Sequence, residues 1–119
     1  MKAKELLELC PFYNKESGRM WGRWRPTYDR VFIWQPLAPE KIGEIYLPET
    51  VRGWHQPQLG VIVSVGAGWS DHKRFYPMFL RPTWVVIFDI RVPWHMKLEN
   101  AAGEMHDIRY MGEQDVNLS

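Results

Sequence analysis

Cysteine is almost absent from this chain. Cys10 stands alone among 119 residues, so no internal disulfide framework can form, and a reducing compartment is the natural expectation. An excess of charge is missing too. Fifteen Lys+Arg against fourteen Asp+Glu leave a net charge of +1, which gives the chain as a whole no polyelectrolyte pull toward nucleic acid or acidic lipid. Long apolar runs are also lacking, and stretches such as Trp84-Val-Val-Ile-Phe88 are strand-sized and far short of a membrane span. The opening Met1-Lys-Ala-Lys-Glu-Leu-Leu-Glu-Leu-Cys10 has Glu5 and Glu8 where a secretory signal needs an unbroken apolar core. A soluble cytoplasmic protein is expected, with no membrane partner.

Catalytic constellations are just as scarce. Ser64 sits in Ile62-Val-Ser-Val-Gly66, without the flanking glycine of a nucleophile elbow, and reads as a strand serine. His55, His72, His95 and His106 are scattered, with no H-x-x-x-H pair and no second cysteine to join them, so no metal site is expected. Gly66-Ala-Gly68 follows a strand, but Asp71 stands where a dinucleotide fingerprint has its third glycine; a tight turn explains it better than a phosphate cradle. Glu40, Glu44 and Glu49 are spread over a loop, and nothing in their spacing makes an acid/base pair. Cys10 has no signature of an activated thiolate. The expectation is a protein that is not an enzyme, with no catalytic residue and no cofactor.

What the chain does have is 45% hydrophobic residues, seven of them tryptophan, enough for a real core: a chain of this size buries roughly 60–70% of its unfolded surface. Residues 1–30 carry seven Lys/Arg and four Asp/Glu, while residues 31–119 carry eight and ten. This asymmetry suggests an N-terminal extension, residues 1–25, ahead of a body at 26–119. In the extension Ala3, Leu6, Leu7 and Cys10 recur at helical spacing and stop at Pro11, predicting about two helical turns that need something to dock on. Residues 14–26 read as loop. Their Arg19-Met-Trp21-Gly-Arg23-Trp24-Arg25 cluster has the residue types of single-strand nucleic-acid binding, yet tryptophans fastening the extension to the body explain it equally, and no RNA-binding signature is present. Nucleic acid is not the expected partner.

From Asp29 onward the texture is short β-type runs punctuated by proline and glycine. Residues 30–34, 59–65, 84–90, 105–111 and, more weakly, 114–118 read as strands, with Leu59, Val61, Val63 and Val65 on one face. No helical period appears among them, so the body is all-β, a small barrel or sandwich. Two connections are too long for hairpin turns, 36–57 and 66–83. Such loops are commonly functional.

Five segments of the body then fall into one pattern. Pro26-Thr-Tyr-Asp-Arg-Val-Phe-Ile33 resembles the P-x-x-D-R-V-x-V opening strand of GroES-type co-chaperonins. Gly43-Glu-Ile-Tyr-Leu-Pro-Glu-Thr50 is similar to that family's G-G-I-x-L-P loop, and Gln58-Leu-Gly-Val-Ile-Val-Ser-Val-Gly-Ala-Gly68 to the G-x-V-x-A-V-G-x-G strand after it. Pro77-Met-Phe-Leu80 with Trp84-Val-Val-Ile-Phe88 has the spacing of the P-x-x-V-x-x-G-D-x-V-x-F region, and Ile108-Arg-Tyr-Met-Gly-Glu-Gln-Asp-Val116 resembles the closing strands. The departures are Ile42 at the first loop glycine, Thr83-Trp84 in place of the G-D turn, no N-G in the roof turn, and the extension itself. They fit a divergent member, such as a virus would encode to serve or replace its host's own, acting then in the host cytoplasm.

The resemblance implies a small GroES-like β-barrel with a long mobile loop at about 36–57 and a short roof hairpin at about 68–77. It implies a homo-oligomer, a ring of seven, that caps a GroEL-type chaperonin and closes a chamber in which an unfolded substrate protein folds. ATP is bound by the partner. Chaperonin binding falls on Ile45, Tyr46 and Leu47, with Gly43 and Pro48 as the loop's hinges. Trp69, Phe75 and Tyr76 would face the dome interior from the roof. Phe32 and Trp34 of the first strand would meet Val116 and Leu118 of the next subunit's last strand. Two other classes stay open. One is the GroES-like domain of zinc alcohol dehydrogenases, whose metal-binding cysteines this chain lacks. The other is a small β-barrel adaptor or nucleic-acid module using the Trp/Arg arm.

Overall fold

The computed structural model describes residues 3–22, 24–35, 57–89 and 94–118. Helix α1 (Ala3–Leu9) has seven residues, too few to persist alone in water. It survives because Leu6, 1% exposed, and the following Cys10 and Phe12 enter the hydrophobic core. A miniature hairpin follows, β1 (Tyr13–Asn14) against β2 (Arg19–Met20), within the stretch expected to be loop. Its turn is shaped by Asn14, whose Oδ1 accepts the N–H groups of Glu16 and Ser17 at 2.9 and 3.3 Å.

The body is all-β, as expected. Strands β3 (Arg30–Trp34), β4 (Pro57–Val65), β7 (Val85–Asp89), β8 (Trp94–Glu99), β9 (Met105–Gly112) and β10 (Val116–Leu118) form one antiparallel sheet in the order β10-β7-β4-β3-β9-β8. A separate hairpin pairs β5 (Gly68–Ser70) with β6 (Phe75–Pro77). Strand β8 was not among the expected strands: it is an exposed edge strand whose Trp-His-Met-Lys-Leu-Glu lacks a clean alternation.

The sheet is rolled, and chain length shows why. In a flat sheet β9 and β10, four places apart, would lie about 19 Å from each other. They are joined by a single 3-10 turn, Glu113–Asp115, which advances only about 2 Å per residue. The two strands must therefore curl toward each other. Met111 of β9 and Val116 of β10 meet in the same cluster as Val31, Ile33, Ile62, Val65, Val86 and Phe88, which marks that cluster as the inside of the roll. Met78 and Leu80 plug it. Gly60 is obligatory here, because a Cβ would overlap Ile33 Cγ2 and crowd Phe88 Cε1.

The outside of the roll is also apolar. Phe32, Leu59, Val61, Val63, Ile87 and Ile108 line it, and Leu6, Cys10 and Phe12 of the N-terminal arm cover them. The two-faced apolarity of these strands is thus satisfied within one chain and does not require an oligomer. One side chain changes sides: the β3–β4 register slips between Phe32 and Ile33, so Val65 points inward while Leu59, Val61 and Val63 point out. Such a bulge reverses the alternation that places all four on one face.

Candidate functional site

Strand β4 separates the two long connections. Residues 36–56 join it at Pro57 and the β5–β6 hairpin follows Val65, so these two points of attachment are separated by a strand about 27 Å long at the usual rise per residue. At the loop end the neck is pinned by the side-chain hydrogen bond from Gln35 Nε2 to Gln58 Oε1, just beyond the Trp34–Val61 pair of the ladder. A groove of about 510 Å³ opens beside this neck, between the arm (Leu9, Pro11) and the β8–β9 hairpin (Lys97, Met105, His106, Asp107). Ile45, Tyr46 and Leu47, expected to bind a chaperonin, and the expected hinges Gly43 and Pro48 lie outside the described residues.

The roof end is built around aromatics. Trp69 stacks on Tyr76 with centroids 4.2 Å apart and planes 17° apart, and the Arg74 guanidinium sits 5.5 Å from the Tyr76 ring. The turn uses Asp71 where an N-G pair was looked for. Its Oδ1 accepts the N–H groups of Lys73 and Arg74 at 2.8 and 2.9 Å, and these two bonds hold its carboxyl below the usual range. Gly68 has φ +134°, and any Cβ there would collide with Tyr76 O. Tyr28 moors the hairpin from below: its hydroxyl donates to Ser70 O at 2.7 Å and accepts from Ser70 N at 3.1 Å. Trp69 and Phe75 stay 39% and 56% exposed, presenting an apolar tip.

The expected subunit contacts need correction. Strand β3 is hydrogen-bonded on both sides, to β4 and to β9, so it has no edge to offer a neighbour. Phe32 is buried in the core of its own chain and Trp34 is half-buried against it. Only β10, of the two strands named for that contact, keeps an open edge: it pairs with β7 through Val116–Phe88 and Leu118–Val86 and ends the sheet. The tryptophans of the arm are also not its fasteners. Trp21 and Trp24 are 37% and 58% exposed; Leu6, Cys10 and Phe12 do the fastening, aided by the Asn100 Nδ2 bond to Pro11 O at 3.3 Å.

Burial pushes the Cys10 thiol up to about 11, leaving it protonated and inert at neutral pH. Among the described residues no three His, Cys, Asp or Glu side chains cluster to hold a metal ion, and no helix is long and apolar enough to cross a membrane. The open sheet edge and the exposed aromatic tip are surfaces suited to binding other chains.

The chain is similar to the co-chaperonin GroES of Orientia tsutsugamushi. The two are 33% identical over 51 residues, which make up 43% of this chain and 52% of the relative. The chain thus spans about half the length of this curated relative. No family model matches the chain. The fold agrees with that similarity: a small all-β unit whose strands are consistent with a GroES-like barrel.

Proposed function

We propose that this protein is a co-chaperonin. It assembles into a homo-oligomeric ring, of seven by the resemblance, and caps a GroEL-type chaperonin that binds and hydrolyses the ATP. Its part is binding, not catalysis, and an unfolded substrate protein occupies the chamber it closes. The observation that carries the reading is the compact aromatic hairpin that follows β4 in a small all-β unit, with residues 36–56 joining that strand at its other end. The similarity to a GroES over part of the chain supports it. A neighbouring copy would extend the sheet at the open edge of β10, keeping Val116 and Leu118 in the interface and Phe32 out of it.

In this reading Ile45-Tyr46-Leu47 is the element that enters the chaperonin. Burying Ile45 and Leu47 is worth roughly 1.5–3 kcal/mol each, so one loop gains about 3–6 kcal/mol before ordering costs, no better than about millimolar binding. Seven loops on one ring make later contacts intramolecular, and avidity supplies a tight but releasable cap. The test is capture on a GroEL-type ring with ATP. Replacing Ile45 and Leu47 by serine should abolish capture while leaving the mass of the assembly and its β-rich spectrum unchanged. Undiminished capture by the double variant would defeat the assignment.

A further inference from the structure

On the flank of the roof end lies a second groove, of about 490 Å³, framed by three arginines. Arg19 comes from β2, Arg25 from the segment leading to β3, and Arg81 from the connection before β7, so the chain brings them together from three separate places. No carboxylate lines the groove. Arg25 spends one bond on Val65 O at 3.3 Å and Arg81 one on Met78 O at 3.0 Å. Each guanidinium has five donors, and among the described residues none of the three has an acidic partner. A surface with nearly balanced charge has thus gathered three cations around one concavity, an arrangement that repels itself when empty and attracts an anion.

We propose that this groove binds a phosphate-bearing ligand. Guanidinium forks match the oxygens of phosphate, and several converging on one site give geometry as well as charge. The phosphate could belong to a free polyphosphate or to the backbone of a single nucleic-acid strand. Exposed Trp21 and Trp24, neighbours in sequence of the lining residues Met20, Gly22 and Arg25, offer stacking faces that only the second source would use. Chaperonin capture is read separately, since the groove lies at the Val65 end of β4 and residues 36–56 join that strand at Pro57.

Two probes test it on the full chain, inorganic pyrophosphate by calorimetry and a dodecamer of thymidylate by quenching of tryptophan fluorescence. Citrate serves as a carboxylate anion of similar charge. Saturable binding of either phosphate probe, weaker at higher salt, is expected. Arg19→Ala and Arg81→Ala should each weaken it about tenfold, and Arg81→Lys should fall short of full affinity despite keeping the charge. Both positions are exposed, so Arg19→Ala should keep the wild-type unfolding midpoint, and Arg81→Ala, which gives up the bond to Met78 O, should lower it only slightly. Binding of pyrophosphate alone identifies a free polyphosphate site; binding of the oligomer that is also lost in Trp24→Ala identifies a strand. No saturable binding of either up to about 1 mM, equal affinity for citrate, or binding that ignores the arginine substitutions would each overturn the proposal.

Discussion

Leu6→Ala should destabilise the whole domain, although the residue belongs to a seven-residue helix at one end of the chain. Leu6 is 1% exposed and packs in the cluster that contains Phe32, Leu59, Val61, Val63 and Ile87 on the outside of the rolled sheet. Burial of a leucine side chain contributes roughly 1.5–3 kcal/mol, and truncation adds a cavity term that brings leucine-to-alanine losses to about 2–5 kcal/mol. A short terminal helix can settle into part of the space, so the lower half, about 2–3 kcal/mol, is the expectation. Leu9, 57% exposed in the same helix, provides the control: Leu9→Ala should stay within about 0.5 kcal/mol. Urea unfolding at one fixed protein concentration, followed by tryptophan fluorescence, measures both. If the arm were an accessory that opens on its own, Leu6→Ala would loosen it without moving the midpoint of the main transition. Equal midpoints for the two variants would therefore refute the idea that the arm completes the core.

Thr83 has φ +78°, a left-handed conformation that costs a β-branched residue about 1–2 kcal/mol; Thr83→Gly keeps the N–H that donates to Ile62 O and should raise stability by roughly 0.5–1 kcal/mol after glycine's own entropy cost, and a loss in urea titrations would contradict the strain. The Cys10 thiol, raised by burial from 9.0 to about 11, is protonated in the folded state over a pH range where the unfolded chain has lost the proton. Its stabilising effect is complete below about pH 9 and disappears as pH rises toward 11, a loss of roughly 2–3 kcal/mol. The difference in stability between wild type and Cys10→Ala should shrink by that amount over the range, and a difference independent of pH would rule out a buried thiol.

The strands that pack on both faces were legible because their residues leave no alternative. Val31 to Ile33 and Val85 to Phe88 are β-branched or aromatic throughout, Leu59 to Val65 is built on four β-branched residues, none has helical spacing, and they lie in β3, β7 and β4. The glycine turn at 66–68 was legible from its punctuation; the aromatic hairpin after it was implied only by the family resemblance, and the Asp71 turn that closes it was not legible. Neither was it visible which edge of β3 would be free, because pairing partners depend on a chain reversal that spans the whole sequence; the structure leaves none. The bulge that moves Val65 inward leaves no local mark in a run of valines. Trp21 and Trp24 misled for a general reason: large aromatics suggest burial, whereas three smaller residues, Leu6, Cys10 and Phe12, occupy the face of the sheet. The arginine groove was half visible as a cluster at 19–25; Arg81, distant in sequence, could be added only by the fold.

The central position of β3 sets an order on biosynthesis. Val31 pairs with Val65 on one side and with Met111 on the other, and the roll is drawn shut only by Glu113–Asp115 and β10. As the chain leaves the ribosome, α1 emerges before any of the face it will cover, and β3 waits with one bare edge until β9 arrives. The sheet consequently cannot close in instalments. Its folding is a late event dominated by contacts distant in sequence, which is the slow regime, and the half-made chain carries an unpaired apolar strand of the kind that invites misassembly.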